Sequence, residues 1–406
     1  MDDRELHDWV KGVRRYFHQH PELSFCEYNT QKKIRELLDG LGIENHNIAG
    51  TGVCGAIRGA GQGKTIVLRA DMDALKIQEI LTENNEDYLS VNEGAMHACG
   101  HDGHMAIVLG TARLLQKNRS NLNGNVRLIF QPAEETPPGG AVKVIEEGGL
   151  DGADAILGLH LFTNYSSGEI LLKEGLMMAS HCRYELQITG KPGHHFNPDA
   201  TIDPIRMAAE FIERIHPVLR EALPPTVRYV FGVGTIHGGS QFNQTPESVV
   251  LSGSYRILEP EYMPVVEKTM RTLMDELVIK YKKSINKNLP FYTLDIIKGY
   301  PSVENNPLFT KSAAKTLKKH FNTVRENVAP VLGSEDFAYY LQKKPGTFIF
   351  LGAGNKEKGM AHENHSNKFD IDEGALETGV KLMYTIATDF LNHSEKYIQN
   401  VKFDKS

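Results

Sequence analysis

Four short runs constrain the fold of this chain more than any other feature: TIVLRA (65–70), NVRLIF (125–130), ADAILGLHL (153–161) and TFIFLG (347–352). Each is almost continuously apolar, which is the pattern of a strand buried on both faces. Between the first three lie segments of helical periodicity, AIVLGTARLLQ (106–116) and AVKVIEEGG (141–149). Helices that connect doubly buried strands cover both faces of a sheet, so the expected fold is α/β with a central, mostly parallel sheet.

The pattern changes at Cys182. A strand CRYELQITG is followed by a helical stretch DPIRMAAEFIERIHPVLREAL, strands VRYVFGVGTI and SVVLSGSYRIL, a second helix from about Glu261 to Ile285, and a strand PFYTLDII. The order β-α-β-β-α-β is that of a ferredoxin-like α+β domain. Helix and strand alternation then resumes with NPLFTKSAAKTLKKHF, GTFIFLGAG and DEGALETGVKLMYTIATDFL. The reading is an α/β domain in two parts, 1–181 and 299–406, interrupted by a smaller domain over 182–298. A chain of 406 residues has the length for this arrangement.

Polar residues gather at the ends of the apolar runs: Asp71 and Asp73, Glu134 and Glu135, and His362 to His365 after them, and His160 within the end of AILGLHL. The carboxyl ends of parallel strands line one crevice, so four separate segments point to a single site. Taken singly, each has a plain structural explanation, as a solvated carboxylate pair or a hydrogen-bonded core histidine. MHACGHDGHMA (96–106) adds Cys99 and His101, which an extended, glycine-relieved turn can close on one ion. His97 and His104 read as supporting or helix-end residues. Thiolate, imidazole and carboxylate together suit zinc, with manganese, cobalt and nickel as alternatives. A structural zinc site would pair cysteines at short spacing, and none of Cys26, Cys54, Cys99 and Cys182 is so paired. Adjacent glutamates on a turn point different ways, so one can hold a metal while its neighbour takes a proton from the activated water. That combination implies hydrolysis.

Charge and hydropathy narrow the partners. A net charge of −6 offers no basic field for nucleic acid or an anionic membrane, and no apolar run has the length of a membrane span. The expected location is cytoplasmic, since the start of the chain reads as an amphipathic helix and not a leader.

These residues, with RRYFHQHPELSFCE, LRADMDALKIQE, FQPAEETPPGGA, GLHL, GKPGHH, GGSQFNQTPESVVLSGSYR, GSEDFAYY and HENHSNKFDIDEGAL in that order, resemble the M20 metallopeptidase family. Within it the likeness is to the amidohydrolase branch of hippurate hydrolases, auxin-conjugate hydrolases and N-acyl-amino-acid deacylases. The resemblance implies two divalent metal ions (Mn, Zn, Co or Ni) held by Cys99, His101, Glu135, His160 and His365. It also implies Glu134 as general base and Asp73 as an orienting residue, and leaves Asp71 where related branches carry a histidine ligand. In the inserted lid domain it implies His194 as oxyanion donor, usually reached from the other subunit of a homodimer, with Asn243 and Arg256 contacting the substrate carboxylate. His18 and His20 receive no metal role. Two positions depart from the family pattern: Asp199, where the lid motif usually ends in histidine, and Lys76, where proline is usual. The implied substrate is a small N-acyl amino acid. Two other readings stay open here: an amidase with Cys99 as nucleophile, and a metal-binding protein without catalysis.

Overall fold

The computed structural model describes residues 3–282 and 290–399. It divides into two compact units, one of 1–177, 303–329 and 335–406, the other of 178–302 and 330–334.

The larger unit is built on an eight-stranded sheet. Its spatial order is Glu44–Ile48, Gly52–Arg58, Asn125–Gln131, Thr65–Asp71, Ala155–Ser166, Gly346–Gly354, Ile170–Leu171 and Val324–Arg325. The four apolar runs form adjacent, mutually parallel strands at its centre. Their burial is nearly complete, and Gly346–Gly354 is buried at every position. The mostly parallel α/β sheet expected from those runs is the observed one. Glu44–Ile48 and Gly52–Arg58 add an antiparallel edge that the apolar pattern did not announce. The reason is chemical: the outermost strand, ENHNI, is polar, as suits an edge strand in contact with water.

Helix His101–Lys117 packs on this sheet, with helices Asp3–Gln19 and Gly374–Asn392 beside it. It is buried on nearly every side, which explains why MAIVLG lacks a polar face. Strand Ala155–Ser166 is longer than its apolar core suggested, so His160 lies within the strand and not at its end.

The smaller unit carries a four-stranded antiparallel sheet in the order Tyr229–Gly238, Ser248–Ile257, Ser180–Thr189, Phe291–Lys298. Helices Pro204–Ala222 and Met263–Tyr281 supply the two crossovers of a ferredoxin-like fold. Ser180–Thr189 alternates buried and exposed residues almost strictly, the mark of a sheet with one face on a core. The first helix starts cleanly because Asp203 accepts hydrogen bonds from the Ile205 and Arg206 amides and Pro204 occupies the first turn. The second helix is described to Tyr281; the expected continuation to Ile285 lies outside the described residues. Residues 330–334 join this unit through Ala179 N–H to Gly333 O (2.9 Å) and Arg256 to Leu332 O (3.1 Å). Among the described residues no helix is long and apolar enough to cross a membrane.

Candidate active site

Three backbone turns bring side chains from distant segments to the carboxyl ends of the central strands. Ala133 (φ 55°) bends the chain just before Glu134 and Glu135, and His365 itself adopts φ 70°. Gly100, at φ 87°, turns the chain so that Cys99 precedes and His101 begins the helix. Side chains other than glycine's rarely take these conformations, so tertiary contacts must hold Ala133 and His365 in them. For His365 one such contact is its own N–H, which bonds Ala98 O at 2.7 Å.

Asp73 organises the glutamate turn. Its carboxylate accepts the amides of Glu134 and Glu135, each at 3.0 Å, and the Ser24 hydroxyl at 2.7 Å. Its carbonyl accepts from His101 Nδ1 at 2.8 Å. His160 likewise bonds its Nδ1 to Leu161 O, at 2.9 Å. Both imidazoles thereby direct Nε2 into the site, as a metal ligand requires; against the effect of burial, Asp71, Asp73 and Glu135 raise His101 to about 10, so the pocket favours positive charge there.

Among the described residues five groups of potential donors lie within 4.8 Å of one another, and two of them contain Cys99: Cys99 with His101 and His160, and Cys99 with Glu135 and His365. They share the thiol. Cys99 Sγ lies 3.4 Å from His160 Nε2, and His365 Nε2 lies 3.3 Å from Glu135 Oε1. His101 Nε2 stands 3.9 Å from Glu135 Oε1 and 4.0 Å from Glu134 Oε2. Two of these buried atoms, His101 Nε2 and Glu135 Oε1, have no hydrogen-bond partner. Buried donors and acceptors left unpaired at such cost fit a place made for a cation. Asn364 ties the His365 loop down by donating to Cys99 O and Leu161 O, both at 3.2 Å.

The electrostatics fit the same reading. Burial and the Glu135 and Glu134 carboxylates push the Cys99 thiol up, the reverse of an activated nucleophile. Burial, then the neighbouring His104, pushes His160 down and keeps it neutral. Burial, with Glu335 and Glu135 nearby, raises Glu134 well above the usual carboxylate range. Glu335 and Asp336 belong to a nest the motifs did not identify: buried Arg69 donates to Asp71, Gln131, Glu335 and Asp336 at 2.7–3.0 Å. A second such nest holds the helix start. Buried Arg14 donates to Asp102 (2.7 Å) and Asp370 (2.8 Å), and His18 bridges Asp102 and Glu79. For Arg69 the signal was a charge inside an apolar run, TIVLRA; Arg14, in the charge-rich helix Asp3–Gln19, carried none. His104 has both nitrogens engaged, whereas His97 has both buried and unpartnered, its pKa pushed down to about 3 chiefly by burial.

In the smaller unit, Gly193–His194 pairs with Gln244–Thr245, and Asn243 Nδ2 approaches His194 Nε2 at 3.3 Å. The Phe196 amide donates to His194 Nδ1 at 3.3 Å, which leaves the ring proton on Nε2. Arg256 is not brought to this pair. It lies next to last in Ser248–Ile257, opposite His181, roughly 26 Å of extended strand from the end nearest Asn243. Asp199 and Lys76 are both exposed.

Comparison with known proteins identifies the family. Residues 67–389 match the model of Peptidase family M20/M25/M40. Thermostable carboxypeptidase 1 of Saccharolobus solfataricus is 39% identical over 96% of this chain and 98% of its own. N-acetylcysteine deacetylase of Bacillus subtilis is 37% identical over 93% and 95%. A solved structure of the Bacillus subtilis YXEP protein, described as a dinuclear metal binding peptidase of the M20 family, superimposes with a TM-score of 0.83 at 34% identity, covering 96% of this chain and 99% of that one. The chain belongs to Peptidase family M20/M25/M40, whose members hydrolyse amide bonds.

Proposed function

We propose that this protein is a metal-dependent amidohydrolase that releases an amino acid from an N-acyl amino acid. The same chemistry describes removal of a carboxyl-terminal residue from a short peptide, because both substrates join an acyl group to an amino acid with a free carboxylate. The observation that carries the reading is the pair of donor groups sharing Cys99 with Glu134 beside them. Cys99, His101, Glu135, His160 and His365 would hold two divalent ions of zinc, manganese, cobalt or nickel type. Such ions, when bound, polarise a carbonyl and make water nucleophilic near neutral pH.

The chain's own residues do the rest. Glu134, turned toward the site by Asp73, takes a proton from the attacking water and returns it to the leaving amine. His194, protonated at Nε2, donates to the developing oxyanion, an interaction whose loss typically costs ~10²–10³ in rate. Asn243 and Arg256 receive the carboxylate end of the substrate. Because Arg256 lies at the other end of its strand from His194 and Asn243, the three serve one small ligand if two chains supply them. A homodimer through the 182–298 domain meets that need, and the strands Tyr229–Gly238 and Phe291–Lys298 leave sheet edges for it. A cytoplasmic location accords with this reading.

The test is hydrolysis of a panel of N-acetyl, N-benzoyl and longer N-acyl amino acids and dipeptides. Activity is expected to vanish on chelation and to return with manganese, cobalt or zinc. Activity that resists chelation but is destroyed by thiol alkylation would overturn the reading in favour of Cys99 as nucleophile.

A further inference from the structure

His104 has the look of a metal ligand. It is buried, it follows His101 by one helical turn, and Asp71, His101 and His104 place donor atoms within 4.8 Å of one another. Its hydrogen bonds exclude that role. Nδ1 lies 2.6 Å from Asp71 Oδ1, and Nε2 accepts the Leu161 amide at 2.9 Å. A neutral imidazole has one N–H and one lone pair. With a backbone N–H pointed at Nε2, the proton sits on Nδ1, so no lone pair is left for a cation.

What those two bonds join is informative. Asp71 is anchored through its other oxygen by Arg69 at 2.7 Å, and Arg69 in turn by Gln131, Glu335 and Asp336. Leu161 follows the ligand His160, and its carbonyl accepts the His160 Nδ1 proton at 2.9 Å. His104 therefore holds one end of the residue whose other end orients His160. Pairing between Ala155–Ser166 and Thr65–Asp71 stops at Gly158. Beyond that point His104 stands in for the missing strand and gives the Leu161 amide its partner. The His104 ring lies 5.4 Å from that of His101 and 4.8 Å from that of His160, between the two ligands.

We propose that His104 is a positioning residue: it clasps the His160 strand to the Arg69–Asp71 pair and so sets the spacing of the donor group Cys99, His101 and His160. The proposal rests on the metal assignment above, and its test separates the two.

Metal-free protein is titrated with Co²⁺, following the thiolate-to-cobalt absorption and the d–d bands, with thermal unfolding of the metal-free form as a check on folding. In His104→Asn the amide nitrogen replaces Nδ1 and keeps Asp71 but cannot accept from Leu161; in His104→Gln the oxygen replaces Nε2 and keeps Leu161 but loses Asp71. Each variant is expected to fold, to bind one of two Co²⁺ ions about 10–100-fold more weakly than the parent, and to show altered d–d bands. Parental affinity and spectrum in both folded variants would overturn the positioning role while leaving the metal assignment intact. A parent protein that binds no Co²⁺ would overturn the metal assignment and this inference with it. A second measurement needs no variant: in protein labelled with ¹⁵N-histidine and loaded with Zn²⁺, His104 is expected to keep its Nδ1 proton. Loss of that proton on loading would make His104 a ligand and refute the clasp.

Discussion

His18 offers the sharpest test of the buried charge network, because its stability contribution has a sign and a pH window. The ring is fully buried, with Nδ1 2.7 Å from Asp102 and Nε2 3.0 Å from Glu79. Two carboxylates on two nitrogens call for an imidazolium. Burial and the adjacent Arg14 oppose that charge, but Asp102 and Glu79 outweigh them and lift the pKa from the ordinary 6.5 to about 9. Tyr88, edge-on at 5.6 Å, completes the surroundings. A group whose folded pKa lies above its unfolded value stabilises fully below the unfolded pKa and loses that contribution as pH rises through the folded one. The shift corresponds to about 3 kcal/mol. Glutamine at this position cannot gain the charge. The stability advantage of the parent over His18→Gln should therefore fall by about 3 kcal/mol between about pH 6 and about pH 10. Guanidinium unfolding of both metal-free proteins across that range measures it, and groups common to both, such as His101 and Glu335, cancel in the difference. In melting temperature the change amounts to roughly 3–5 °C, because an unfolding entropy of about 2 cal/mol/K per residue makes 1 kcal/mol worth only ~1–2 °C in a chain of this length. A difference that stays flat with pH would mean that His18 is neutral in the fold and that the network has been misread.

Three further outcomes follow from the site. Glu134→Gln should keep its metal but lose turnover by ~10²–10⁴, read by elemental analysis beside steady-state kinetics; near-normal hydrolysis by the loaded variant would remove Glu134 as the base. Cys99→Ser should weaken both ions together, because both donor groups include Cys99; calorimetric titration showing one ion held as in the parent would disprove the shared ligand. Mixing inactive Glu134→Gln with inactive His194→Ala should restore part of the activity through hybrid dimers; no recovery, with subunit exchange demonstrated separately, would rule out His194 acting across the dimer.

What could be read from residues alone follows a physical line. The apolar strands and the polar residues that accompany them are local signals, and they point Glu134, Glu135 and His160 to the carboxyl end of one sheet. The ferredoxin-like order was legible for the same reason. Strand Glu44–Ile48 was not, since ENHNI carries no alternation or apolar run to betray it. Arg69 lay in plain view inside TIVLRA, but its meaning depends on Glu335 and Asp336, more than 260 residues away. His104 reads from the sequence as a supporting residue, but what it supports was hidden, because its deciding partner is the Leu161 backbone. Arg256 matched a motif, yet a motif match carries no distance, and the strand separates it from Asn243.

The interruption of the sheet also sets a schedule for synthesis. Strand Gly346–Gly354 pairs with Ala155–Ser166, with Phe350 opposite His160, so an inner strand of the sheet is made some 190 residues after its neighbour. Closing so long a loop is entropically slow, and until then Ala155–Ser166 presents an unpaired edge. The four-stranded sheet of the smaller unit, by contrast, has all its strands by Lys298 and can form while the chain is still growing. Because His365 arrives later still, a ribosome-bound chain has passed most of its length before it owns a complete set of donors.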